Sequence, residues 1–83
     1  MADDRGDLIR ALDLDKAGDW DTAHGIVQRM ESNDAHWIHA YLHREEGDLG
    51  NSRYWYNRAG KIMPEYGLDQ EWDELYTMMT QKQ

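Results

Sequence analysis

Two of the Gly-Asp pairs in this 83-residue chain, Gly18-Asp19 and Gly47-Asp48, stand 29 positions apart, each between stretches with helically spaced apolar residues. Glycine ends a helix by taking a left-handed backbone at little cost, and the following aspartate caps the next helix through its carboxylate. Each pair therefore reads as the joint of a helix–turn–helix. Superposing the chain on itself at that offset brings Ala11 onto Ala40, Ala23 onto Ser52, Val27 onto Tyr56 and Arg29 onto Arg58. Identities are few, but the small and apolar positions coincide, which is the mark of a repeated helical hairpin.

The spacing predicts five helices. The first, roughly residues 4–17, sets Leu8, Ala11, Leu12 and Asp15 on one side. The second follows Asp19 and runs to about residue 31, with Trp20, Ala23, Val27 and Met30 aligned. Ser32-Asn33-Asp34 breaks the pattern and caps a third helix over residues 35–46. This helix has no clearly polar side: Trp37 and Tyr41 share one flank, Ile38 and Leu42 another, and His36, His39 and His43 a third. A helix of that kind belongs in the middle of a fold. The fourth aligns Ser52, Trp55, Tyr56, Ala59 and Met63, and Gly60 and Pro64 mark its end. The fifth, about 68–80, carries Leu68, Trp72, Leu75, Tyr76 and Met79 on one face. Its acids fall mostly in the first turns, where the helix dipole favours them. The expected architecture is a single all-α domain. Hairpins over about 4–31 and 35–62 stack, and the helix at 68–80 caps the open apolar face of the second.

Composition narrows the function. The absence of cysteine removes disulfides and thiolate metal sites, and fits a reducing compartment. No apolar run approaches the roughly 18–20 residues of a membrane span. The acidic start, MADDRGD, lacks the layout of a signal peptide, so a cytoplasmic protein is expected. A formal charge of −8 opposes nucleic-acid binding, which needs a basic face. The acids crowd both ends, while the centre carries Arg53, Arg58 and Lys61. Phe is absent, and four Trp and five Tyr supply the large rings, whose N–H and O–H groups need partners when buried. Trp20, Trp37, Tyr41, Trp55, Tyr56 and Trp72 are therefore assigned to the core rather than to a ligand cage.

The second copy, through Ala40, Gly47-Asp48, Leu49, Ser52, Tyr56, Ala59 and Pro64, resembles a tetratricopeptide or Sel1-like repeat, and NSRYWYNRAGK looks especially Sel1-like. The match covers residues 35–64 well and residues 4–31 more loosely, through Gly18, Trp20 and Ala23. The offset is shorter than the usual period of that family. The stretch AHWIHAYLHREEGD followed by YWYNRAG is also similar to a group of small proteins with no assigned activity. The repeat resemblance implies stacked helical hairpins that hold a peptide or another protein in a concave groove.

Among residues able to carry chemistry, His36, His39 and His43 come first. They lie within roughly 60° of one another around a helix axis, on successive turns, and imidazoles so spaced can hold Zn²⁺, Ni²⁺ or Cu²⁺. Glu46 can add an oxygen ligand, and His24 can join only where the second helix packs beside that face. The alternative is that the rings pack between helices, each with one nitrogen hydrogen-bonded. Asp13 and Asp15 faintly resemble the start of a calcium loop, but Ala17 and His24 stand where ligands are required. Gly47 to Asn51 is too short for a phosphate cradle and is followed by no lysine. With Ser32 and Ser52 explained by a break and by packing, no catalytic chemistry is expected, and no cofactor. The expected function is a small protein–protein interaction module that uses Arg53, Tyr54, Arg58 and Lys61, and a second copy of the chain can supply further surface. The alternative is a histidine-based site for a metal or small ligand on the third helix.

Overall fold

The computed structural model describes residues 4–81. Among the described residues the fold is all-α, with five helices: α1 (Arg5–Lys16), α2 (Trp20–Val27), α3 (Asn33–Glu45), α4 (Leu49–Ala59) and α5 (Leu68–Gln81). Both Gly-Asp joints form as their chemistry dictates. Gly18 has φ 95° and Gly47 φ 88°, in the left-handed region where a side chain is strained. At each joint two backbone bonds close the preceding helix, Asp19 N–H to Leu14 O and Gly18 N–H to Asp15 O, then Asp48 N–H to His43 O and Gly47 N–H to Arg44 O. The aspartates open the next helices, with Asp19 Oδ1 accepting from Thr22 N–H at 3.2 Å and Asp48 Oδ1 from Asn51 N–H at 3.3 Å.

Three local boundaries differ from the sequence pattern, one of them the end of α4, which stops at Ala59 on Gly60 (φ 73°), so that Met63 meets the core from the segment that follows. The spacing of Trp20, Ala23, Val27 and Met30 continues past the end of α2, because Met30 reaches the core from a turn closed by its N–H to Val27 O. The cap of α3 is Ser32, whose Oγ accepts from Ala35 N–H at 3.1 Å, so the helix begins at Asn33.

α1 pairs with α2 and α3 with α4, and α3 lies against every other helix. All residues from Ala35 to His43 are buried, as expected of a central helix. Small residues at the crossings, Ala11, Ala23 and Ala40 among them, are fully buried and let the backbones approach. Ser52 does the same in α4 while its Oγ donates to Ala40 O at 2.7 Å, satisfying the one polar atom it brings inside. Leu12, Ile38, Leu42 and Leu75 are fully buried too, each worth about 1.5–3 kcal/mol of transfer free energy.

α5 packs on α1 and α3. These are the first helices of the two hairpins, so α5 spans both copies instead of capping only the second. Leu75 and Met79 enter the core, and Trp72 donates its indole N–H to Leu12 O at 3.1 Å. The surface shared by the two first helices is thus covered by the chain's own C-terminal helix. Among the described residues no helix is long and apolar enough to cross a membrane.

Candidate functional site

α3 carries its three histidines between two neighbours, and the neighbours divide them. Toward α2, His39 and His43 meet His24: ring centroids are 4.7 Å apart for His24–His39, 5.1 Å for His24–His43 and 5.0 Å for His39–His43. These near-equal sides form a triangle of imidazoles. Nε2 of His24 and Nε2 of His39 are 3.1 Å apart, and one ring nitrogen from each of the three lies within 4.8 Å of the others. His39 and His43 are buried and His24 is half-buried. Toward α4, His36 packs against Trp55 at 5.2 Å and does not belong to the triangle. Angular closeness groups His36 with the other two, but seven residues of axial rise separate it from His43 by about 10 Å.

Aromatic rings wall the cluster. Trp20 stacks on His24 at 4.8 Å and 9°, and Trp55 stacks on His39 at 4.0 Å and 15°. Trp20 is itself fixed by its N–H to Leu42 O at 2.8 Å. Burial, then the neighbouring rings of His24, His43 and His36, push His39 down to about 3 from 6.5. His24 is lowered as well, first by burial and then by His43. At neutral pH both rings are uncharged and keep one lone-pair nitrogen each.

Nδ1 of His43 is 2.7 Å from Glu46 Oε2, a contact in which the imidazole N–H donates and the carboxylate accepts. His36 and His39 are different: Nδ1 of each is buried with no hydrogen-bond partner. Native folds answer nearly all buried polar atoms, so two orphans in one patch call for a reason.

A second buried polar cluster is one that sequence reasoning missed. Glu71, fully buried, accepts from Trp37 Nε1–H at 3.1 Å, Tyr56 O–H at 2.5 Å and Arg44 Nη1–H at 2.6 Å. Arg44 also donates to Tyr66 O, tying the α4–α5 connection to α3. Burial first, then the bond to Glu71, holds the Tyr56 phenol far above its ordinary value. Position in a run of acids concealed Glu71, yet it precedes Leu75 and Met79 by four and eight residues, on the same apolar stripe. Elsewhere, at the α1–α3 seam, Glu45 is raised to about 8 by burial, by a hydrogen bond with Asp15 and by the charge of that residue.

The predicted partner-binding residues all lie on the α4 side. Arg53, Tyr54, Arg58 and Lys61 are exposed. Arg58 lies over the Tyr54 and Trp55 rings at 5.9 and 5.4 Å, and Lys61 Nζ over the Trp37 ring at 4.0 Å. Arg53 and Lys61 border a groove of about 440 Å³ with Tyr56, Asn57, Ile62, Met63 and Pro64, and Glu65 is the one carboxylate in its lining. Tyr54 and Arg58 lie outside that groove lining. No family model, curated protein or solved structure matches this chain.

Proposed function

We propose that the chain is a small non-catalytic docking module that holds an acidic, apolar-anchored segment of another protein along the outer side of α4. The observation that carries this reading is a local reversal of composition. The chain bears −8 overall, yet from Leu49 to Pro64 it has three cations and no carboxylate. In the same stretch Ile62 is 92% exposed at the rim of the groove, beside Met63 and Pro64. An apolar side chain left in water next to cations suits a partner carrying the opposite charge and an apolar anchor. Among the described residues Arg53, Arg58 and Lys61 form no ion pair, and Arg58 and Lys61 rest on aromatic faces with no carboxylate paired to them. The coverage of α1 and α3 by α5 also supports the α4 side over a groove between the hairpins.

The test is a titration of ¹⁵N-labelled protein with two synthetic peptides, one placing Glu and Asp around a single Leu and one replacing those acids by Lys. The acidic peptide is expected to shift Arg53, Lys61 and Ile62. Its affinity should fall steeply with salt and be lost in the Arg53→Glu/Lys61→Glu double variant. Equal responses to both peptides, or shifts confined to α1 and α5, overturn the reading.

A further inference from the structure

We infer that His24, His39 and His43 form a binding site for one divalent transition ion of the Zn²⁺ class, with Glu46 as the carboxylate that orients His43. The inference is independent of the docking face on α4.

The geometry of the nitrogens carries it. Two imidazole Nε2 atoms bound to one tetrahedral ion at 2.0–2.1 Å stand about 3.3 Å apart. Those of His24 and His39 are already 3.1 Å apart, and all three rings offer a nitrogen within a 4.8 Å span. His39 and His43 are related by one helical turn, and His24 comes from a different helix, so the set closes by packing and needs no loop to fold over it. Joining two ligands of α3 to one of α2 also spans the junction between the hairpins.

The second feature is orientation. Histidine ligands commonly donate their other ring N–H to a carboxylate, which fixes the tautomer and raises ligand basicity. The Glu46–His43 contact at 2.7 Å has that form and leaves Nε2 of His43 as the ligand atom. Where a hydrogen bond joins His24 and His39, one of the two Nε2 atoms carries its proton. For both to bind an ion, the ring that carries this proton must hold it on Nδ1 instead, a change of tautomer with no change of charge. The buried Nδ1 of His39, which has no partner, gains nothing from the surrounding protein in either tautomer.

The ligand type follows from the donors. Three imidazoles with no thiolate suit Zn²⁺, Cu²⁺, Ni²⁺ or Co²⁺ over Mg²⁺ or Ca²⁺, which prefer all-oxygen shells. Three protein ligands leave a fourth position for water or an outside group.

The experiment is calorimetric titration of Zn²⁺ into the metal-free full chain at neutral pH, repeated with Mg²⁺. One Zn²⁺ per chain with micromolar or tighter affinity is expected, with no response to Mg²⁺. Glu46→Gln should weaken binding by about 10–100-fold, the usual effect of losing an orienting partner. His24→Asn should weaken it further, whereas His36→Asn should leave it unchanged. Co²⁺ absorption supplies a readout that does not depend on variants folding: an intense tetrahedral ligand-field band is expected. A weak octahedral Co²⁺ spectrum, absence of stoichiometric Zn²⁺ binding, or a loss with His36→Asn equal to that with His24→Asn overturns the site.

Discussion

Glu71 and His39 are both withdrawn from solvent, 0% and 4% exposed, yet their surroundings differ in kind. Around Glu71 the two carboxylate oxygens receive three donors, from α3 and α4, and its counter-ion Arg44 is anchored in turn on a loop carbonyl. Every strong donor and acceptor there has found a complementary partner. Around His39 the partners are chemically alike. An imidazole faces an imidazole, a second stands 5.0 Å away, and one nitrogen has nothing. Buried polar groups are costly unless satisfied; the first arrangement satisfies its own, while the second brings ring nitrogens of three imidazoles within 4.8 Å of one another. The contrast separates a structural polar hub from the cluster we infer to hold an ion.

The largest effect that would sharpen the contrast is at the hub. Glu71→Ala leaves Arg44 charged and enclosed and leaves two buried donors unanswered, and should cost about 3–5 kcal/mol in urea unfolding. A cost near zero would remove the distinction. Next comes Zn²⁺. At a free concentration 100 times Kd it should stabilise the native protein by about 2.7 kcal/mol, an effect absent in His24→Asn.

Acid gives a third comparison. His39 titrates near 3 when folded and near 6.5 when unfolded, so below 6.5 the unfolded chain binds more protons. Stability should therefore be complete above about 6.5 and decline as pH falls toward 3, by up to about 1.4 kcal/mol per unit for this ring. His39→Phe should flatten that decline in metal-free protein. The smallest effect lies outside both clusters. Lys61→Gln removes the contact of Nζ with the Trp37 ring and should cost about 0.5–1 kcal/mol of stability while weakening the acidic peptide.

Much of the fold was legible in the sequence because it is written locally. Gly18-Asp19 and Gly47-Asp48 state where helices stop and start, and the stripe of α5 names Leu75 and Met79 as core. Helix pairing was legible through the short joints. The course of α5 was not, since its contact with α1 joins residues such as Leu12 and Trp72 across most of the chain. The candidate site was half legible for a similar reason. The turn-to-turn relation of His39 and His43 follows from α3 alone, but the choice of His24 over His36 depends on which neighbour each end of α3 meets. Glu71 was hidden by its company, because a carboxylate among Asp69, Asp73 and Glu74 reads as solvated until its place on the stripe is weighed against theirs.

The most direct test of the account is a long-range ¹H–¹⁵N spectrum of the four imidazoles, recorded in metal-free protein and after one equivalent of Zn²⁺. The account predicts that the Nε2 signals of His24, His39 and His43 move together to metal-bound positions, while His36 stays where it was. Four imidazoles that all respond weakly, or a stoichiometric response that includes His36 and omits His24, would contradict it.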